Sequence, residues 1–208
     1  MKHPWQEISL SDYENHMKLD SVRQLQTMNA MMAAQLSLPG IETAMVLGVA
    51  GGNGLEHVDL QRLKKVYGVD INRDYLDACA ARFPALSGVL ECICADLADE
   101  YLPLPHADLV IANLLVEYIG YPCFQRVIRR VQPTLVSCAI QINTDDSFVS
   151  DSPYLHAFDR LEEVHHQMET VSLTTAMAVI GYHPAGQEIH PLPNGKQLIR
   201  LDYRRAEA

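Results

Sequence analysis

The sequence predicts an α/β domain. It reads as a doubly wound, mostly parallel seven-stranded sheet with helices on both faces and an antiparallel C-terminal hairpin, preceded by a helical N-terminal extension. Three observations carry that expectation. Short apolar runs alternate with segments of helical periodicity through the middle of the chain. A small-residue turn, Ala50-Gly51-Gly52-Asn53-Gly54, follows the first apolar run. Asn194-Gly195, a strong hairpin signal, separates two strand-like runs near the end.

Taken in order, residues 11–38 read as one helix, because Met17, Leu25, Met28, Met32 and Leu36 recur at helical steps. Ser11 or Asp12 caps it, and Pro39-Gly40 ends it. Its Met-rich face is either core packing or part of a lid over a substrate. Residues 1–40 therefore form the extension, and residues 41–208 the main domain. Residues 44–49 are the first strand, followed by the glycine turn and a helix from Leu55 to Leu63. A second strand ends at Asp70, and Arg73–Arg82 is a helix stopped near Pro84. Val89–Cys94 and the run Ala107–Leu115 are the third and fourth strands. A helix over Tyr121–Arg130 leads through Pro133 into a fifth strand, residues 135–143. Tyr154–Met168 and Val171–Ile180 read as helices, Gly181 ends the second, and the hairpin follows.

Composition narrows the function. Of the 208 residues 48% are hydrophobic, which suffices for a real core, and the formal charge of −10 disfavours a nucleic-acid backbone or an anionic membrane as partner. The opening residues lack a signal-peptide apolar run, and no stretch approaches the roughly 20 apolar residues of a membrane span. The five cysteines, Cys79, Cys92, Cys94, Cys123 and Cys138, match no disulfide framework. Reduced, mostly buried thiols and a cytoplasmic location are expected. His165 and His166 are adjacent and point apart on a helix, so no metal site is expected.

The glycine turn is the sharpest chemical signal. Small residues let a backbone approach a ligand closely, and a helix beginning after them would offer unpaired N–H groups. A tight turn with no ligand is the plainer alternative. Asp70 stands sixteen residues after Gly54, at the end of the second strand. A carboxylate there suits both ribose hydroxyls of a bound nucleoside, although a helix cap explains it too. Asp96, after the third strand, suits the exocyclic amine of an adenine, or faces solvent. Leu97 and Ile71 would flank the adenosine. The turn does not fit a dinucleotide fingerprint, since His57 falls near where its last glycine belongs, and no Gly-Lys-Ser/Thr follows to make a phosphate loop.

The segments VLGVAGGNG, VYGVDIN, CADLAD and DLVIANLLVEYI resemble the successive signatures of the class I S-adenosylmethionine-dependent methyltransferases, a Rossmann-like family. The resemblance covers about Thr43 to Asn143. It implies S-adenosyl-L-methionine as cofactor, with Asp70 on the ribose, Asp96 on the adenine amine, and Ala50, Gly52 and Gly54 at the small positions beside the methionyl part. The family often carries an acid where this chain has Gly48, and a glycine where it has Ala50. That departure leaves open a binding or regulatory protein of the same fold with no catalysis.

The acceptor end is less legible. Asn113 and Glu117 leave the fourth strand where the sulfonium and acceptor would meet; Asn113 would orient a polar group and Glu117 act as a base, with Tyr118 as a ring wall. Packing is the alternative for each. Tyr13 and His16, three residues apart, share a helix face and would line the acceptor with Trp5 and Met17. A small organic acceptor is expected, and a homodimer is left open.

Overall fold

A computed structural model describes residues 2–143 and 147–206. It contains a seven-stranded sheet in the order β3-β2-β1-β4-β5-β7-β6. The strands are β1 (Thr43–Leu47), β2 (Lys65–Asp70), β3 (Leu90–Cys94), β4 (Leu109–Asn113), β5 (Leu135–Ile142), β6 (Tyr182–Pro191) and β7 (Gln197–Arg205). The first five run parallel, while β7 joins β5 and β6 antiparallel. The architecture is the expected one. Strand order reverses between β1 and β4, so a crevice opens at the carboxyl ends of the central strands.

The helices are α1 (Leu10–Lys18), α2 (Gln24–Leu36), α3 (Arg73–Arg82), α4 (Val116–Val131) and α5 (Thr170–Val179). One apolar cluster joins α4 and α5 to one sheet face through Phe124, Val127, Ile128, Leu173 and Met177. A second joins α2 and α3 to the other through Met32, Leu36, Leu76 and Cys79. The central strands β1 and β4 are buried on both faces, so their sequences are uninterrupted apolar runs.

Four local expectations are corrected. Residues 11–38 form two helices rather than one: α1 begins at Leu10 behind the cap Ser9, and the chain breaks before α2 at Arg23, whose φ is +52°. The span Leu55–Leu63 is helical only as a 3₁₀ turn over Leu55–His57. Beyond it Asp59 spends its carboxylate on the N–H of Gln61, a local bond that competes with a helix. That face of the sheet is covered instead by α2, whose Met32 and Leu36 join Val46, Leu55 and Leu63 in the core. Much of the Met-rich face is therefore core packing: Met28, Met31 and Met32 are all buried. Residues 154–168 hold a 3₁₀ helix, Leu155–Glu163, rather than an α-helix. Finally, the helix expected over Tyr121–Arg130 is present but is preceded by a further turn from Val116, joined to it across a kink at Gly120, φ +69°, with Pro122 behind it.

Among the cysteines Cys79, Cys123 and Cys138 are buried, but Cys92 is only half-buried and Cys94 is exposed. They lie on β3, an edge strand of the sheet. No helix among the described residues is long and apolar enough to cross a membrane.

Candidate active site

Two adjoining cavities occupy the crevice. The first is walled by Gly48, Ala50, Asp70, Ile71, Asp96 and Leu97, and by Asn113, Leu114 and Leu115 at and beyond the end of β4. His3, Trp5 and Tyr13 of the N-terminal extension close it. The second adjoins it across Trp5, Tyr13, Leu114 and Tyr118, which line both. Its own walls include His16, Met17, Glu117, Gln141, Phe148, Phe158 and His165.

Asp70 is 9% exposed, and its carboxylate holds the turn in place. One oxygen accepts the Ala50 N–H at 2.9 Å and the other the Asn72 N–H at 2.9 Å. Burial raises its pKa despite these bonds. The cap of α3 is Asn72, whose side chain accepts from Asp74 and Tyr75. Asp70 is therefore not that cap, and both its oxygens keep capacity for further donors. Asp96 is exposed; one oxygen takes the Ala98 N–H at 2.8 Å, and the residue sits on the cavity rim. Ile71 is half-buried and Leu97 buried, both on that same wall.

The small residues divide. Ala50 lines the first cavity in a left-handed conformation at φ +47°, and so does Gly48 at φ +68°. Gly52 and Gly54 do not line it. A Cβ on Gly52 would meet Phe83 Cε2 at 2.7 Å and Cys79 Sγ at 2.8 Å; one on Gly54 would meet Met32 Cβ at 2.4 Å. These two glycines admit protein, not ligand. The helix N-terminus expected behind the turn is absent as well, because the 3₁₀ turn there is only three residues long.

The four residues expected at the acceptor end separate too. Asn113 lines the first cavity, but α2 engages its amide twice: Gln35 Nε2 donates to Asn113 Oδ1 and Asn113 Nδ2 donates to Gln35 Oε1, each at 2.9 Å. Glu117 lines the second cavity and is 3% exposed. Its Oε1 accepts the Gln141 N–H at 2.8 Å, while Oε2 has no hydrogen-bond partner among the described residues. Burial pushes its carboxyl up to about 7. Tyr13 touches both cavities; burial, then Asp70 and Glu14, raise its hydroxyl above the ordinary tyrosine range. His16 lines the second cavity, with Nδ1 2.7 Å from Ser152 Oγ, and burial lowers its pKa, which favours the neutral ring.

The N-terminal extension is latched over these walls. Tyr75 donates to the Ile8 carbonyl at 2.9 Å, Asn72 to the Trp5 carbonyl at 3.0 Å, and Gln6 to the Ile71 carbonyl at 3.3 Å. Trp5 packs edge-on against Tyr13 and Tyr118, with ring centroids 5.7 and 4.9 Å away. Its indole N–H is buried with no acceptor among the described residues. Sequence reasoning missed Phe148, Phe158, His165 and Gln141 as wall residues, along with Gln35 as the partner of Asn113. A signal existed for the glutamines, since both stand at positions that periodicity buries.

Residues 46–135 match the family model described as a methyltransferase domain. Among curated proteins, none matches the sequence. Solved structures with the same fold include magnesium protoporphyrin IX methyltransferase from Synechocystis PCC 6803 with bound SAM, at TM-score 0.60 and 14% identity, covering 88% of this chain and 79% of that one. The N-methyltransferase NodS from Bradyrhizobium japonicum WM9, in complex with S-adenosyl-L-homocysteine, gives 0.67 and 11%, covering 95% and 98%. The [4+2]-cyclase SpnF gives 0.67 and 13%, covering 92% and 85%.

Proposed function

We propose that this chain, whose residues 46–135 match a methyltransferase-domain model and whose fold is shared with solved class I S-adenosylmethionine-dependent methyltransferases, transfers a methyl group from S-adenosyl-L-methionine to a small organic acceptor. The observation that carries this reading is Asp70. It is a buried carboxylate with spare acceptor capacity on the wall of the first cavity, and Ile71, Asp96 and Leu97 complete that wall. In this reading Asp70 accepts from the ribose hydroxyls and Asp96 from the adenine amine. Ile71 and Leu97 flank the base, and Gly48 and Ala50 leave room beside the methionyl part. The orphaned indole N–H of Trp5, in the wall shared by both cavities, supplies a donor for a ligand oxygen.

The bound cofactor supplies an electrophilic methyl group on a sulfonium. The chain's work is alignment and exclusion of water. Holding two reactants in line contributes up to roughly 7–11 kcal/mol in ideal intramolecular models. Leu114, at φ +52° between the cavities, and the rings of Trp5, Tyr13 and Tyr118 make the boundary across which acceptor and cofactor would face each other.

Calorimetry on the purified full chain, freed of bound nucleoside, tests the cofactor. Saturable binding of S-adenosylmethionine and S-adenosylhomocysteine is expected, with no competition from NAD. Absence of binding by both overturns the proposal. A second reading, binding without catalysis, is favoured by Gly48: its φ of +68° suits glycine, so no acid holds the methionyl amine from that position. Tight cofactor binding without methyl consumption across a broad acceptor panel would favour it.

A further inference from the structure

The second cavity has a chemistry of its own. Phe148 and Phe158 join Trp5, Tyr13 and Tyr118 around it, so its walls are largely aromatic faces and edges. His165 stacks on Phe148 at 3.9 Å between centroids, and His16 tilts against Phe158 at 4.8 Å. Both imidazoles have pKa values lowered chiefly by burial, which favours their neutral forms. Among the described residues, no lysine or arginine lines the cavity. Lys196 lies behind it, tied to Asn143 and to the Ser147 carbonyl.

Most polar side chains of the wall are already engaged. Gln24 donates to Gln141, Gln141 donates to Asn143 and to the Phe148 carbonyl, and Ser150 accepts from Asn194. Glu117 is different. Among the described lining residues it is the one carboxylate, it is almost wholly buried, and its Oε2 has no partner among the described residues. A buried acceptor of this kind is costly unless a donor meets it.

We infer that this cavity is the acceptor site for an amine carried on a flat apolar body, with the ammonium group paired to Glu117 Oε2 and the body held among the rings. The inference rests on the methyltransferase reading above. Negative charge at one point, aromatic walls and no basic residue select a cation over an anion. A carboxylate or phosphate acceptor would meet Glu117 with nothing to neutralise it. An ammonium nitrogen has no lone pair to attack with. Glu117 accepts one N–H proton on Oε2, so the carboxyl becomes neutral and the nitrogen regains its pair. A carboxyl held near pH 7 by burial suits that exchange. The other titratable groups near it do not compete: the tyrosines Tyr13 and Tyr118 and the thiol of Cys138 are all shifted upward, and both imidazoles downward.

The test is calorimetry on the full chain with three probes of matched shape: tryptamine, tryptophol and indole-3-acetate. It is run with and without S-adenosylhomocysteine. At pH 8 tryptamine should bind at least about tenfold tighter than the alcohol or the acid. Its affinity should fall at pH 6, where Glu117 is protonated. In Glu117→Gln, checked for fold by circular dichroism, the preference for the amine should vanish. Equal affinity for the three probes, no binding by any of them, or an undiminished preference in the variant overturns the inference. The probe series on the unaltered protein decides the matter even if the variant does not fold. If S-adenosylhomocysteine binds while tryptamine does not, only the acceptor assignment fails. If S-adenosylhomocysteine does not bind, the methyltransferase reading fails with it.

Discussion

Replacing Gly54 with alanine adds one methyl group at a place where the chain has no room for it. Gly54 has φ +90°, and an ideal Cβ there would lie 2.4 Å from Met32 Cβ and 2.7 Å from Met32 Cγ. Met32 Cβ is fixed to the backbone of α2, so relief requires the helix itself to shift. The left-handed conformation costs an alanine about 1–2 kcal/mol, and overpacking a tight contact costs about 1–3 kcal/mol more. A loss of about 2–5 kcal/mol lowers the melting temperature of a domain this size by about 4–20 °C. The direction of the methyl group matters as much as the cost. It points into α2 and not into the cavity, so affinity for S-adenosylhomocysteine, measured where the variant is still folded, should be nearly unchanged. Urea denaturation followed by circular dichroism gives the first quantity and calorimetry the second. Undiminished stability would show that the contact with Met32 is not tight. Intact stability with an affinity loss of tenfold or more would show that Gly54 addresses the ligand after all.

Two other predictions concern buried polar groups. Burial lifts Glu117 from an ordinary 4.5 to about 7. Below pH 4.5 both folded and unfolded states hold the proton; above it the unfolded state ionises first, so stability falls until about pH 7, by on the order of 3 kcal/mol. Glu117→Gln should flatten that fall. Urea midpoints for both proteins at pH 5 and pH 8 isolate the effect, since Asp70, His16 and His165 titrate in each. Identical pH dependence in the two proteins would rule the assignment out. Gln35→Leu strips partners from the Asn113 amide and from Ser137 Oγ. Ser137 Oγ keeps its bond to Asp202, so the cost falls on the half-buried Asn113 amide, at about 1–3 kcal/mol. A urea midpoint equal to that of the unaltered protein would show that Asn113 finds another partner.

Much of the scaffold was legible because its signals are local. The strand ending at Asp70 and the helix Arg73–Arg82 stand where reading along the chain puts them. Parallel strands buried on both faces leave apolar runs, and α3 has its breaker, Pro84, close behind it. Where local signals compete, the reading failed. Residues 55–63 have an apolar pattern that suits a helix, but the Asp59 carboxylate bonds the Gln61 N–H, and α2, which precedes β1, covers that face. The break between α1 and α2 carries no proline or glycine to announce it.

The candidate site divides along the same line. Asp70 and Asp96 could be found from order alone, because the end of a parallel strand opens on the crevice wherever the strand lies in the sheet. Tertiary structure alone decided which glycines face a cavity and which face Met32 or Phe83, and that the amide of Asn113 is spent on Gln35. It also decided that Glu117 is buried with one oxygen unmatched, in a chamber walled by Trp5 near the start of the sequence and by Phe148 and Phe158 more than 140 residues later. Periodicity reports which face of an element is apolar. It does not report which distant element meets that face, and the charge state of a carboxyl depends on that meeting.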